Sequence, residues 1–247
     1  MARKRNPDSA PAEETLEGIE TIFDRIADGI SARPSIFLGA VIGILAIVGS
    51  VGVFLHQKKE KEEEASIQVA AIQRNYFRDS GSAPGTFGES VAADPKVHRN
   101  VQEEYLPKFQ QVAEDYPRTT AGVQALLEAA TISVELEGIP QGIELLREAK
   151  TASSNASLRA LVSMRLAGLL EASGELKAAA AEFELASLEK AFPARFEALG
   201  EAARISAEAG DDQRAVAFFL RLESESPDFQ LLPHVRHRLS LLVNKAQ

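Results

Sequence analysis

The residues that could bind a metal ion or transfer a proton are few and widely separated. Of the four histidines, only His234 and His237 lie close together, in the motif HVRH. Residues three positions apart share one face of a helix and could contact one metal ion, but no carboxylate nearby in the sequence completes a tetrahedral set. We therefore predict that both histidines face solvent and that the chain holds no metal and no cofactor.

Other catalytic chemistry is also disfavoured. The chain has no cysteine, so it has neither a thiolate nucleophile nor a disulfide. Gly81, Gly85 and Gly88 do not form a phosphate loop, because no Gly-Lys-Ser/Thr follows them. The net charge of -9 disfavours nucleic acid, whose binding depends on lysine and arginine contacts to phosphate. We predict that the protein is not an enzyme, and an anchored enzyme is the weakest of three hypotheses.

An apolar run over residues 36–55 dominates the N-terminal part of the chain. Its sequence, IFLGAVIGILAIVGSVGVFL, has no charge and no proline. A helix of about 20 apolar residues matches the hydrocarbon core of a bilayer. Because the run starts late for a cleaved signal and HQKKEKEEE follows it, we predict one retained transmembrane helix. The GxxxG spacing of Gly39 and Gly43 suggests self-association, although glycine is common in membrane helices.

The segments that flank the predicted anchor have distinct compositions. We predict that residues 1–35 form an acidic tail with an amphipathic helix, whose apolar stripe is Leu16, Ile19, Phe23, Ile26 and Ile30. That helix either binds a protein partner or rests on the chain's own membrane end. We predict that residues 56–96 form a stalk helix, ending near Arg78, and a loop over residues 79–94 rich in glycine, serine and proline.

Residues 97–247 carry a repeated helical pattern. Gly138, Gly174 and Gly210 lie 36 residues apart, each in a polar turn between two apolar helical stretches. Evenly spaced helix-turn-helix units near this length are typical of tetratricopeptide repeats. We therefore predict an all-α fold, with a single N-terminal transmembrane helix followed by a tetratricopeptide-type helical-repeat solenoid.

Small and large apolar residues recur at matching positions of the second and third units. Small residues would let paired helices approach closely, and large ones would fill the space between them. The small residues are Ala167, Ala179, Ala203 and Ala215, and the large ones are Leu166, Leu170, Phe183 and Phe219. Upstream, residues 104–119 resemble the second helix of a degenerate unit. Downstream, Val235, Leu239 and Leu242 mark a C-terminal capping helix, so we expect three to four units plus this cap.

The first helices of successive units line the concave face in repeats of this type. The register set by Gly174 and Gly210 places the following candidate partner-binding residues there: Leu161, Met164, Gly168, Glu171, Glu197, Gly200, Arg204 and Glu208. Apolar residues in the first group and charged residues in the second would suit an extended polypeptide with mixed side chains. The alternative is that these are ordinary exposed residues of helices.

The repeats resemble YfgM-type proteins, the ancillary subunits of the bacterial SecYEG translocon. The similarity is closest over residues 157–183, SLRALVSMRLAGLLEASGELKAAAAEF, and GDDQRA at residues 210–215 fits the third turn of that family. The resemblance implies a bacterial inner-membrane protein with a cytoplasmic N-terminus and a periplasmic repeat domain. It also implies protein partners, namely translocon subunits, a membrane-anchored periplasmic chaperone and translocating chains. The loop over residues 79–94 is longer than is usual in that family.

Local charge favours the opposite orientation. Residues 16–35 contain Arg25 and Arg33, whereas residues 56–75 contain Lys58, Lys59, Lys61 and Arg74. Long domains translocate largely regardless of such charges, so we still predict that the C-terminus lies outside. Two functions without catalysis remain open. The first is a scaffold that assists proteins emerging from the translocon, and the second is a coordinator of envelope assembly or cell division that uses the same repeat domain.

Overall fold

The computed structural model describes residues 34–81 and 95–246, with side chains over residues 43–81 and 95–245. These ranges form α-helices joined by short connections and contain no strand, which confirms the predicted all-α class. The helices are α1 Pro34–Asp79, α2 Pro95–Asp115, α3 Thr120–Leu136, α4 Ile139–Ala152, α5 Ala156–Ala172, α6 Leu176–Leu188, α7 Arg195–Glu208, α8 Asp212–Glu225 and α9 Pro233–Ala246. The predicted amphipathic helix of the tail and most of the predicted loop lie outside the described residues.

The chain divides into two compact units, Met1–Lys59 and Glu60–Gln247. In the first unit, the large apolar side chains of α1 that are described are all exposed: Ile44, Leu45, Ile47, Val48, Val51, Val53, Phe54 and Leu55. Within the described residues, no helix is both long enough and apolar enough to cross a bilayer. The predicted anchor, residues 36–55, lies partly outside the residues whose side chains are described.

The second unit begins at Glu60 and therefore includes the C-terminal part of α1. Val69 of this part is buried in the hydrophobic core, and the ring of Tyr76 meets the ring of Tyr105 on α2 edge-on, with centroids 5.6 Å apart. This differs from the predicted start of the repeat domain at residue 97. A stalk helix and a repeat helix have the same helix-forming composition, so composition alone does not distinguish them.

A carboxylate from α1 caps the start of α3. The Glu62 side chain accepts hydrogen bonds from the backbone N–H groups of Thr120, at 2.9 Å, and Ala121, at 3.2 Å. The first N–H groups of a helix have no partner within the helix, and an anion there also interacts favourably with the helix dipole. Glu62 therefore fixes α1 to the first regular repeat across a long separation in sequence.

The repeat glycines occupy backbone conformations that favour glycine. Gly138, Gly174 and Gly210 have φ values of +106°, +85° and +76°. A Cβ atom is strained in this region, so glycine is the residue that allows the chain to reverse after each first helix. After α5, the N–H of Glu175 donates to the carbonyl of Leu170 at 2.8 Å, which closes the turn as in a Schellman motif.

Corresponding hydrogen bonds fix the register of the three units. The N–H of Asp211 donates to the carbonyl of Ser206 at 2.9 Å, and the N–H of Gly138 donates to the carbonyl of Ser133 at 3.1 Å. Ser133, Leu170 and Ser206 therefore occupy equivalent positions on α3, α5 and α7. The first unit is thus offset by one residue from the spacing of the glycines.

The predicted alternation of small and large residues is confirmed in the core. The paired helices meet at fully buried alanines, namely Ala167, Ala179, Ala203 and Ala215. The larger residues between them are also buried, namely Leu166, Leu170, Phe183 and Phe219. On α9, Val235 and Leu239 are buried and Leu242 is partly buried, so this helix contributes to the core at the C-terminal end of the repeats.

Candidate protein-binding surface

Ion pairs connect the even-numbered helices to one another. Lys150 of α4 pairs with Glu182 of α6 at 2.6 Å, and Glu184 of α6 pairs with Arg214 of α8 at 2.6 Å. The second helices of successive units therefore lie side by side. They form one layer of the repeat domain.

The odd-numbered helices form the other layer. Gln73 of α1 donates to the Glu128 carboxylate of α3 at 3.0 Å, and Arg204 of α7 pairs with Glu171 of α5 at 3.0 Å. The side chains that α3, α5 and α7 present together on this layer are called the inner face below. The predicted partner-binding residues belong to helices of this layer.

A cluster of charged residues surrounds Arg204 on the inner face. Its guanidinium donates to the carboxylates of Glu171 and Glu208, each at 3.0 Å, and to that of Glu201, at 2.7 Å from Nε. Burial alone would lower the pKa of Arg204, but hydrogen bonds and charges from Glu201 and Glu171 raise it above its ordinary value. Three predicted residues, Glu171, Arg204 and Glu208, are thus brought together, and the cluster keeps an excess of negative charge.

The remaining predicted residues differ in their accessibility. Leu161 and Met164 are half-buried on α5, whereas Gly168 and Glu197 are exposed. A Cβ added at Gly168 would meet no atom within 4 Å, so the surface there is open. A partner could therefore contact Gly168 and Glu197 more fully than Leu161 and Met164.

Gly200 does not belong to the accessible surface. It is buried, and a Cβ added there would lie 2.7 Å from Cδ2 of Leu231 and 3.6 Å from Cε1 of Phe229. The segment between α8 and α9 therefore covers this part of α7. The prediction that Gly200 contacts a partner is wrong, because the chain after Pro227 folds back over it.

Two neighbouring cavities form a groove between α3 and α5. One has a volume of about 420 Å³ and includes Leu127, Leu158 and Leu161 in its lining. The other has a volume of about 250 Å³ and includes Leu127, Val134 and Leu169. Both cavities share Leu127, Thr131 and Arg165. The groove is therefore continuous along the two helices. Its smaller cavity is mainly apolar, whereas the larger one is also lined by polar and charged side chains, namely Thr120, Gln124, Glu128, Thr131 and Arg165.

Sequence reasoning identified only Leu161 among the groove residues. The residues on α3 were missed because the first unit is offset by one residue, which prevented its inner face from being read from the glycine spacing. Arg165 was missed because it lies one position beyond Met164 in the predicted register. The offset of the first unit appears in the turn hydrogen bond of Gly138, which the sequence does not give.

The described residues offer no metal-binding cluster of three or more histidine, cysteine, aspartate or glutamate side chains. His234 and His237 are both exposed on α9. What the inner face does offer is an apolar groove beside a set of charged side chains. Such an arrangement can hold a polypeptide segment by burial of apolar side chains and by ion pairing.

Two layers of short antiparallel helices, closed by glycine turns and carrying a groove on one layer, define a helical-repeat scaffold for binding other proteins. The chain belongs to the tetratricopeptide repeat-like domain family, whose sequence profile matches residues 33–217. That match confirms the predicted repeat type and the coarser prediction of a protein-interaction scaffold.

Solved structures of repeat proteins are similar to this chain at low identity. One is a kinesin light chain from Podosopora anserina with nearly identical TPR-like repeats, at 14% identity and a TM-score of 0.47, over 75% of this chain and 88% of that chain. Another is BtubC (BKLC) from P. vanneervenii, at 13% identity and a TM-score of 0.43, over 74% of this chain and 85% of that chain. No protein with a curated description matches the chain.

Proposed function

We propose that this protein is a membrane-anchored, protein-binding scaffold that resembles the ancillary subunit of the bacterial Sec translocon and assists periplasmic chaperone networks. The single observation that carries the binding role is the groove between α3 and α5, in a chain of the tetratricopeptide repeat-like family. The translocon as partner is supported by the resemblance over residues 157–183 and by the order of parts along the chain.

The anchoring part of the proposal is supported by the sequence of residues 36–55. This run has no charge, and the strongly charged segment HQKKEKEEE follows it directly. The exposed side chains between Ile44 and Leu55 would lose water contact in a bilayer, at a gain of about 25 cal/mol for each Å² of apolar surface. Self-association is a further part of the proposal, and it is supported by the GxxxG spacing of Gly39 and Gly43.

The proposed location is the bacterial inner membrane, with the N-terminus in the cytoplasm and the repeat domain in the periplasm. Alkaline phosphatase is active only outside the cytoplasm, so a fusion to the C-terminus reports the orientation. We expect an active fusion in cells. An inactive C-terminal fusion, together with an active N-terminal one, would overturn the proposed orientation.

The proposed partners are translocon subunits, a membrane-anchored periplasmic chaperone and translocating chains. Purification of the full chain in mild detergent, followed by identification of the co-purifying proteins, tests this directly. We expect translocon subunits in the complex. Envelope-assembly or division proteins without translocon subunits would instead favour the alternative function, a coordinator that uses the same repeat domain.

A further inference from the structure

One position recurs on each helix of the inner face and carries a charge every time. Five residues before Ser133, Leu170 and Ser206, the equivalent positions on α3, α5 and α7 are occupied by a glutamate, an arginine and a glutamate. These residues are Glu128, Arg165 and Glu201. The charges therefore alternate in sign along the inner face.

The two glutamates already have partners. The Glu128 carboxylate accepts a hydrogen bond from Gln73 at 3.0 Å, and the Glu201 carboxylate accepts from Arg204 at 2.7 Å. Arg165 makes no hydrogen bond or ion pair with any residue that the structure describes. Arg165 is exposed on α5, the helix between α3 and α7 in chain order.

The other acidic side chain of the groove is also engaged. Glu135, which lines the smaller cavity, accepts a hydrogen bond from Gln102 and lies 3.5 Å from the ring of His98. Both groove glutamates accept from neutral glutamine amides and keep their charge, whereas Arg165 is the cation of the groove lining and has no partner in the described part of the chain. An arginine presents a planar fork of donors that matches the two oxygens of a carboxylate.

Apolar space continues on both sides of Arg165. The larger cavity is lined by Leu158 and Leu161, and the smaller one by Val134 and Leu169. A ligand that fills both cavities must therefore pass across Arg165 and continue. A chain terminus would fill only one side, so the carboxylate is expected within the ligand rather than at its end.

We propose that the groove binds an extended segment of a partner polypeptide in which one acidic side chain lies between apolar side chains, with the carboxylate on Arg165. This inference rests on the proposed function, namely that the repeat domain binds proteins. It adds the chemistry of the bound segment and the residue that selects it.

The test uses the full chain in lipid nanodiscs and short fluorescent peptides, acetylated and amidated at their ends. The first peptide alternates leucine and serine around a central glutamate, the second has glutamine there, and the third has lysine. Fluorescence anisotropy measures each dissociation constant. Charge-assisted hydrogen bonds contribute enough that the glutamate peptide should bind about tenfold more tightly than the glutamine peptide.

Variants assign this preference to Arg165. Arg165→Gln should remove the difference between the glutamate and glutamine peptides, and Arg165→Glu should transfer the preference to the lysine peptide. Arg147→Gln is the matched control, because Arg147 is an exposed arginine on α4 that is paired with Glu144. This control variant should keep the preference of the unchanged protein.

Equal binding of the glutamate and glutamine peptides by the unchanged protein, or no binding of either, would overturn the proposal. A glutamate preference that survives in Arg165→Gln would overturn it as well. A fourth peptide, with central glutamine and a free C-terminal carboxylate, tests whether a chain terminus binds instead. Tighter binding of this peptide than of the first would contradict an internal carboxylate. Co-purification of translocon subunits despite a negative peptide result would show that the groove proposal fails while the proposed function stands.

Discussion

Ser133, Leu170 and Ser206 occupy one repeated position, yet their surroundings differ. Leu170 is buried and fills its site with apolar atoms. The buried hydroxyl of Ser133 donates to the Glu137 carboxylate at 2.8 Å. Among the described side chains, the Oγ atom of Ser206 is the buried polar atom that has no hydrogen-bond partner. A buried polar group without a partner costs about 1–3 kcal/mol.

Ser206→Ala should therefore stabilise the repeat domain. We expect the free energy of unfolding of fragment 60–247 to rise by about 1 kcal/mol, because the unsatisfied hydroxyl is removed with little change of volume. Ser133→Ala, the matched control, removes a hydroxyl that has a partner and should lower the free energy of unfolding by about 1 kcal/mol. Urea unfolding measures both, and a loss of stability in Ser206→Ala would contradict the assignment.

The Tyr105 hydroxyl should make the free energy of unfolding of the domain change with pH in the alkaline range. Its hydroxyl donates to the Asp79 carboxylate at 2.6 Å, and this hydrogen bond, with burial, raises the pKa of Tyr105 from 10.0 to about 12. The folded state holds this proton more tightly than the unfolded state does. The resulting stabilisation is complete below pH 10.0 and is lost as the pH rises through about 12.

Tyr105→Phe has no such proton, so its stability should fall less between pH 10.0 and about 12 than that of the unchanged fragment. Urea unfolding at several pH values gives the two profiles. The profiles should converge at the alkaline end of this range. Parallel profiles would show that Tyr105 does not contribute to the pH dependence.

At the scale of the helix pair, one phenylalanine fills the space between two helices in each of the second and third units. Phe183 is 5% exposed on α6 and Phe219 is 2% exposed on α8. Truncation of either to alanine should lower the free energy of unfolding by about 3–5 kcal/mol. Because repeats contact mainly their neighbours, one end of the domain should unfold before the other.

Exposed leucines on the same helices provide matched controls. Leu185 and Leu220 are each 48% exposed, so their replacement by alanine should change the free energy of unfolding by no more than about 0.5 kcal/mol. Urea unfolding of fragment 60–247 measures all four variants. A loss below about 1 kcal/mol for both Phe183→Ala and Phe219→Ala would contradict the packing described above.

Features set by local periodicity could be predicted from the sequence, and long-range contacts could not. The glycine turns and the buried alanines follow from the helical period. The ion pair between Glu171 and Arg204 joins two helices and was not predicted. The cap of α3 by Glu62 and the cover over Gly200 depend on segments that meet only after folding. No local pattern in the sequence signals either contact.

At the scale of the whole molecule, the repeat domain extends further towards the N-terminus than its glycine spacing indicates. The compact unit begins at Glu60, and the family profile matches residues 33–217. The apolar run over residues 36–55 therefore lies inside the matched region, in the N-terminal part of α1.

Site-specific photo-crosslinking in intact cells tests the proposed binding role of the inner face most directly. A photoreactive residue is placed at Leu161 in the groove and at Gly168 on the open inner face, with Lys177 at the start of α6 as the control. Mass spectrometry identifies the proteins that become attached. We predict a translocon subunit or an anchored chaperone crosslinked from both inner positions and background levels from Lys177, whereas equal or stronger crosslinking from Lys177 would contradict the account.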